Sequence, residues 1–342
     1  MSTIWLCACL LLSFICHLNA VSYEEWARSQ WLEFKAMHGK NYSSPIEETL
    51  RKKIFFENRY MIARHNEKYA KGLVSFSLKM NGYGDLLQDE FVSMMNGVKS
   101  GSPAWDERTN GSTFLPPEHQ PTPPPKEVDW RATLVTEVKD QGTCGACWAF
   151  STTGSLEGQY ARKTGRLVSL SEQNLVDCSD ELYNNHGCAG GLMDRAYVYI
   201  FVNGGIDTEE SYPYEMKQGK CRFQRKDVGA SLTGYVRIVP RNDEKLLEKA
   251  VAFLGPVSAA VFAKLPNFRF YAEGVYDDQG CSDFDVDHGV LIVGYGTTEK
   301  GQNYWLIKNS WGTKWGDHGY MKLAKDANNV CGISSLASVP LV

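Results

Sequence analysis

The chain has 342 residues, 43% of them hydrophobic, which is enough sequence for about two packed domains of ~100 to 200 residues each. Its 36 Lys and Arg against 40 Asp and Glu give a formal charge of -4, so there is no basic field for gripping nucleic acid or an anionic bilayer. Ten cysteines are heavy usage, and the number alone leaves disulfides, metal ligands and nucleophiles all open.

Residues 1–20 contain no Asp, Glu, Lys or Arg, and the apolar run from Ile4 to Leu18 precedes the small Ala20. This pattern predicts a signal peptide over 1–20, in preference to a buried N-terminal helix, and it is too short for a good membrane span. Cleavage after Ala20 would remove Cys7, Cys9 and Cys16. The remaining seven, Cys144, Cys147, Cys178, Cys188, Cys221, Cys281 and Cys331, all lie in the last 200 residues.

Residues 21–122 read as helical. Glu47, Arg51, Phe55, Asn58, Ile62 and Asn66 recur every three or four positions, which puts all six on one helix face. Alone, such a stripe is ordinary packing surface. Asn41 and Asn110 begin N-glycosylation sequons, which fit secretory traffic. Seven of the thirteen prolines fall between Ser100 and Pro125, an extended and exposed composition of the kind proteases cut. Residues 21–122 carry 13 basic and 13 acidic side chains, so the whole net charge belongs to residues 123–342. That second part predicts a helix from Cys147 to about Lys163, then strands over Val286–Tyr295, Tyr304–Lys308 and Tyr320–Leu323.

The segment Gln141-Gly-Thr-Cys-Gly-Ala-Cys147-Trp-Ala-Phe150 admits three chemistries. A zinc site needs further ligands at short spacing, and only His186 beside Cys188 is near. A Cys-x-x-Cys redox pair needs a βαβ context and two thiols of equal standing. A thiol nucleophile needs a helix start, an imidazole partner and a group to orient that ring. Cys147 opens a helix, His288 stands at the edge of an apolar strand, and Asn309 follows the next strand, so paired strands would bring Asn309 to His288. His318 lies among polar residues and Gly and reads as surface.

With these residues in place the chain resembles the papain family of cysteine proteases, and within it the cathepsin L-type proenzymes. The likeness rests on Gln-Gly-x-Cys-Gly-Ala-Cys-Trp, on Gly187 to Gly191, on Asp287-His288-Gly289, and on Asn309-Ser-Trp-Gly-x-x-Trp-Gly316. His288 follows Cys147 by 141 residues, within the ~130 to 150 of that family. The stripe from Glu47 to Asn66 matches the pattern of the family's inhibitory propeptides. The chain departs from common family residues at Ala146, Ala189, Lys79 and Tyr83, none of which removes a reacting atom.

The resemblance implies an α+β fold: a helical inhibitory propeptide over 21–122, then a papain-like unit over 123–342. That unit would have a helical half and a β-barrel-like half with a cleft between them. It implies Cys147 as nucleophile, His288 as acid and base, Asn309 as its orienter, and Gln141 as oxyanion donor, a role worth about 3 to 4 kcal/mol. Trp311 would shield the His288 to Asn309 bond and, with Gly190 and Gly191, contact substrate. Leu192, Met193, Ala260, Val286, Gly289 and Leu336 would line the pocket for the second residue upstream of the scissile bond. Six cysteines allow fifteen pairings; the family pattern selects Cys144 with Cys188, Cys178 with Cys221, and Cys281 with Cys331, each worth about 4 kcal/mol by chain entropy.

The expected protein is thus a cysteine endopeptidase acting on proteins and peptides, held inactive by its own propeptide. No cofactor, metal, nucleic acid or membrane span is expected, cystatin-type inhibitors are the expected outside partners, and the chain is expected to be a monomer of the lysosome or the extracellular space. Against it stand a disulfide-rich binding module, a catalytically dead homologue and a dithiol oxidoreductase. The presence of Cys147, His288, Asn309 and Gln141 together disfavours the dead version.

Overall fold

The computed structural model describes residues 22–98, 112–116 and 123–342. The expected leader, the sequon at Asn110 and residues 117–122 of the Pro-rich stretch lie outside the described residues. Asn41 is exposed.

The N-terminal body is built from α1 (Tyr23–His38), α2 (Pro45–Ala70), strand β1 (Phe76–Leu78) and α3 (Gln88–Met95). Ser22 caps α1 by accepting from the Glu25 amide while the Glu25 carboxylate accepts from the Ser22 amide, and Gly39 ends it in the left-handed region. Pro45 opens α2 behind the Ser44 cap. Trp31, Phe34 and Phe55 are buried together between α1 and α2. The predicted stripe has a definite task on α2. Phe55 and Ile62 are buried, Arg51 makes a bidentate pair with Glu90 at 2.6 and 3.1 Å, and Asn58 donates to the Gly84 carbonyl. Asn66 exchanges two 2.8 Å hydrogen bonds with Leu78 and so pairs one edge of β1 as a strand would.

The rest of the chain contributes β2 (Ser112–Thr113), β3 (Val128–Asp129), α4 (Cys147–Thr164), α5 (Glu172–Cys178), α6 (Met193–Asn203), β4 (Ile206–Asp207), β5 (Val228–Ala230) and β6 (Gly234–Arg237). It continues with α7 (Glu244–Leu254), β7 (Val257–Val261), α8 (Pro266–Arg269), β8 (Tyr271–Tyr276), β9 (His288–Thr297), β10 (Asn303–Lys308), β11 (Tyr320–Ala324) and β12 (Ala337–Leu341). The predicted helix and three strands are all present, with ends within about two residues, the ordinary slack of helix and strand boundaries.

Two apolar clusters divide the body, as the helical and β-rich halves require. One packs α4, α5 and α6 around Trp148, Leu175, Tyr197 and Ile200; the other fills the β half around Val257, Ile292, Trp305 and Leu323. The main sheet runs β1-β8-β11-β10-β9-β7-β12-β6-β2, with β3 paired to β9. It is an open path rather than a closed barrel, and its two end strands, β1 and β2, come from the N-terminal 122 residues. Among the described residues no helix is long and apolar enough to cross a membrane.

Candidate active site

Cys147 is the first residue of α4 and points its thiol into the seam between the two halves. The cysteines pair as Cys144–Cys188, Cys178–Cys221 and Cys281–Cys331, so Cys147 is the free thiol among the described residues. Cys144 is therefore committed to Cys188 and forms no dithiol with Cys147. His186 and His318 are exposed.

His288 opens β9, and β9 runs antiparallel to β10 with Leu291 opposite Lys308, which carries Asn309 past the end of its strand to the imidazole. His288 Nε2 and Asn309 Oδ1 are 2.8 Å apart. Because Asn309 Oδ1 also accepts from the Ser310 amide at 2.8 Å, its amide orientation is set, so Nε2 carries the hydrogen and Nδ1 is left for proton exchange. Trp311 covers this pair, with ring centroids 4.5 Å apart from His288 and edge-to-face contacts to Phe268 and Trp315. Gly289 lets β9, which His288 opens, close on the start of α4: a Cβ on Gly289 would stand 2.7 Å from the Cys147 carbonyl oxygen, so no other residue permits this approach.

Gln141 is fully buried. Its backbone amide donates to Ser310 O, and its Oε1 accepts from Ser310 Oγ at 2.6 Å, which turns Nε2 away from Ser310. Nε2 donates at 2.9 Å both to Cys144 O and to Met95 O. Tyr214 Oη donates to the Gln141 carbonyl at 3.0 Å and braces the same loop. Sequence reasoning passed over Tyr214, which has no motif around it.

The Met95 contact belongs to a segment that crosses the whole site. After α3, Asn96, Gly97 and Val98 lie between the two halves. Gly97 N donates to Cys147 Sγ at 3.2 Å, and Gly97 O accepts from Gly191 N at 2.8 Å. On the opposite side Val98 N donates to Asp287 O, and Asn96 Nδ2 donates to Asp287 Oδ2 at 2.6 Å. Val98 pairs parallel to Gly191, and its side chain is buried in the same apolar cluster as Leu192, Met193, Ala260, Val286 and Leu336. Five of the six predicted pocket residues thus share one apolar cluster with Val98, and the sixth, Gly289, lies opposite Ala260 across β7 and β9. Asn185 holds the Gly190-Gly191 loop by accepting from the Leu192 amide. Asn96-Gly97, a turn dipeptide just past a helical run, was the available signal for this crossing.

Burial sets the protonation states. The Cys147 thiol is pushed up to about 11 by loss of solvent, against which the amides of Gly289, Gly97 and Trp148 pull only part of the way. Burial likewise drives His288 down to about 4, offset in part by its bond to Asn309. At neutral pH both groups are uncharged beneath the crossing segment.

Comparison with known proteins agrees with this architecture. The model of the family described as Papain family cysteine protease matches residues 124–341, and that of the Cathepsin propeptide inhibitor domain (I29) matches residues 31–91. The chain is similar to cathepsin L of Sarcophaga peregrina, 52% identical over 336 residues that span 97% of this chain and 98% of that one. It is also similar to procathepsin L of Rattus norvegicus, at 46% over 340 residues, 97% and 98% of the two chains. Among solved structures, digestive procathepsin L 3 of the Tenebrio molitor larval midgut superposes with a TM-score of 0.85 at 45% identity, covering 92% of this chain and 99% of that one.

Proposed function

Since this chain belongs to the papain family of cysteine proteases and is organised as a cathepsin L-like proenzyme, we propose that it is an endopeptidase whose 123–342 body is silenced by its 21–122 prosegment. The observation that carries this reading is the free Cys147 thiol, at a helix start, buried directly under a prosegment amide. Removal of 21–122 would return Cys147 and His288 to water, so that proton transfer from thiol to imidazole becomes favourable and the helix start favours the thiolate.

The proposed reaction proceeds in two steps. The Cys147 thiolate attacks the scissile carbonyl carbon, and the oxyanion is held by Gln141 Nε2 and the Cys147 amide. The Gln141 seat is where Met95 O now accepts. As the C–N bond breaks, His288 Nδ1 gives its proton to the leaving amine, which leaves a thioester on Cys147. Water then attacks the thioester carbon with His288 Nδ1 taking its proton, the C–S bond breaks to return the Cys147 thiolate, and the second product leaves as a carboxylic acid. Asn309 keeps the ring turned throughout, and Trp311 keeps water off the Nε2 bond.

Specificity would come from the cluster holding Val98. Leu192, Met193, Ala260, Val286 and Leu336 are apolar and buried, so a guanidinium placed there would lose its water without gaining a partner. A peptide library is expected to favour Leu, Phe or Val over Arg at the second upstream position by at least about tenfold in kcat/KM. Preference for Arg there would overturn the assignment.

Maturation is expected to accelerate with acid. Hydrogen bonds hold three prosegment carboxylates below their usual 4.5: Glu90 through Arg51, Glu47 through Ser43 and Glu48 through Lys35. A depressed carboxylate stabilises the folded prosegment above about 4.5, and that contribution is lost as pH falls through the lowered value. Asp287, raised by burial, acts in the opposite sense, while His38 and His288, lowered by burial, act with the three carboxylates. The proenzyme without added protease should therefore mature faster as pH falls toward and below about 4.5 than at pH 7; equal rates would remove the account. The three disulfides fit a secretory-pathway protein, of lysosomal or extracellular destination, and cystatin-type inhibitors and a monomeric state complete the proposal.

A further inference from the structure

Both ends of the main sheet are capped by the N-terminal 122 residues, and the two caps are unlike in origin. At one end β1 lies antiparallel on β8, with Phe76 opposite Gly274, and belongs to the stretch that matches the inhibitor domain. At the other end β2 lies parallel on β6, with Ser112 opposite Val236 and Thr113 opposite Arg237. Residues 112–116 fall outside both matched families. Yet they are not loosely laid down. Phe114 N donates to Arg237 O at 2.9 Å, and the Phe114 side chain is only 6% exposed, buried in the apolar cluster of Val236, Ile238 and Val339. The neighbouring Leu115 is 78% exposed, so the burial of Phe114 is selective.

We infer that Ser112–Phe114 is a second anchor of the prosegment, and that its seat on β6 is a peptide-binding surface of the protease body selective for an extended chain carrying a large apolar side chain. The inference rests on the reading above that residues 21–122 are removed. An edge strand offers unpaired amide and carbonyl groups to any extended chain, and a side-chain seat supplies the selectivity. The seat adjoins a cavity of about 600 Å3 lined by Thr113, Asp194, Arg237, Pro240, Leu336 and Ser338. Leu336 belongs equally to the cluster that buries Val98, so the anchor and the cleft share a wall. The crossing segment is thereby tied down on both sides, by α3 before it and by Phe114 after it.

The test uses the full-length proenzyme at pH 7 and reads the rate at which Cys147 is alkylated, which requires no peptide hydrolysis. Phe114→Ala is expected to raise that rate about tenfold, the loss of one buried anchor residue, while Phe114→Leu raises it less than threefold. Hydrogen exchange at β1 and β8 should stay unchanged and show that the body remains folded. A second arm takes the mature form with Cys147 already blocked by iodoacetamide and adds a synthetic peptide of residues 110–116. Protection of β6 amides by this peptide, and not by its Phe114→Ala counterpart, supports the seat. Unchanged alkylation in the first arm overturns the anchor, and equal behaviour of the two peptides overturns the seat. If hydrolysis were absent altogether, the proposed activity would fail while both arms still gave their answer.

Discussion

Cys147→Ala is expected to abolish peptide hydrolysis, by about 10^5-fold or more, because removing the nucleophile of a unit that acts together forfeits nearly all of its covalent catalysis. The fold should survive the change. Cys147 forms no disulfide, and the substitution removes one sulfur from a wall made by Trp148, Gly289 and the crossing segment. The same residue gives a second measurement on the unaltered protein. With the thiol pushed up to about 11 in the proenzyme, only about one molecule in 10^4 carries a thiolate at pH 7, so alkylation should be slow until the prosegment leaves. After maturation, one equivalent of reagent should react fast and silence the enzyme. Two reactive thiols after mild reduction would return the oxidoreductase reading, no hydrolysis by the matured parent would return the binding module, and more than about 1% of activity in Cys147→Ala would show that Cys147 is not the nucleophile.

Much of this site was legible in the chain because its parts are local. The helix after Cys147 and the three strands could be read from composition and Gly turns, and the placement of His288 and Asn309 on neighbouring strands followed from their positions at strand ends. The disulfide pairing could not be read from spacing. Only the family likeness selected one arrangement of fifteen, since which loops meet is decided by packing far along the chain. The stripe from Glu47 to Asn66 was visible as a face, but its meaning was not: Arg51 and Asn66 work through Glu90 and Leu78, partners 39 and 12 residues away. The two end strands of the sheet were not legible for the same reason. A three-residue strand such as Phe76–Leu78 and a two-residue strand such as Ser112–Thr113 carry almost no periodicity, and each exists because an edge was waiting for it.

Gly97→Ala is expected to unseal the proenzyme. A Cβ at this position would lie 1.8 Å from the Gly145 carbonyl oxygen and 2.7 Å from its carbon. Those are backbone atoms, and Gly145 is held by its own hydrogen bond to Cys188 O next to the Cys144–Cys188 disulfide, so no side chain can turn aside. Asn96 to Val98 must lift instead. Lifting gives up the Gly97 bond to Cys147 Sγ, the Gly191 bond to Gly97 O and the two bonds to Asp287, and it uncovers Val98. At about 1 kcal/mol net per hydrogen bond, with losses shared among imperfect contacts, the cover weakens by about 3 to 4 kcal/mol, a factor of ~10^2 to 10^3. Alkylation of Cys147 in the full-length Gly97→Ala protein at pH 7 should therefore rise about a hundredfold. Val98→Ala, which keeps all four bonds and only thins the apolar contact, should raise it about tenfold at most. The packing of α1 on α2 is remote from the clash, and its tryptophan environment should not change. If the thiol of Gly97→Ala were as sealed as in the parent, contact of the crossing segment with Cys147 would not be the cause of latency, and the cover would have to be sought in the docking of β1 on β8 and of β2 on β6.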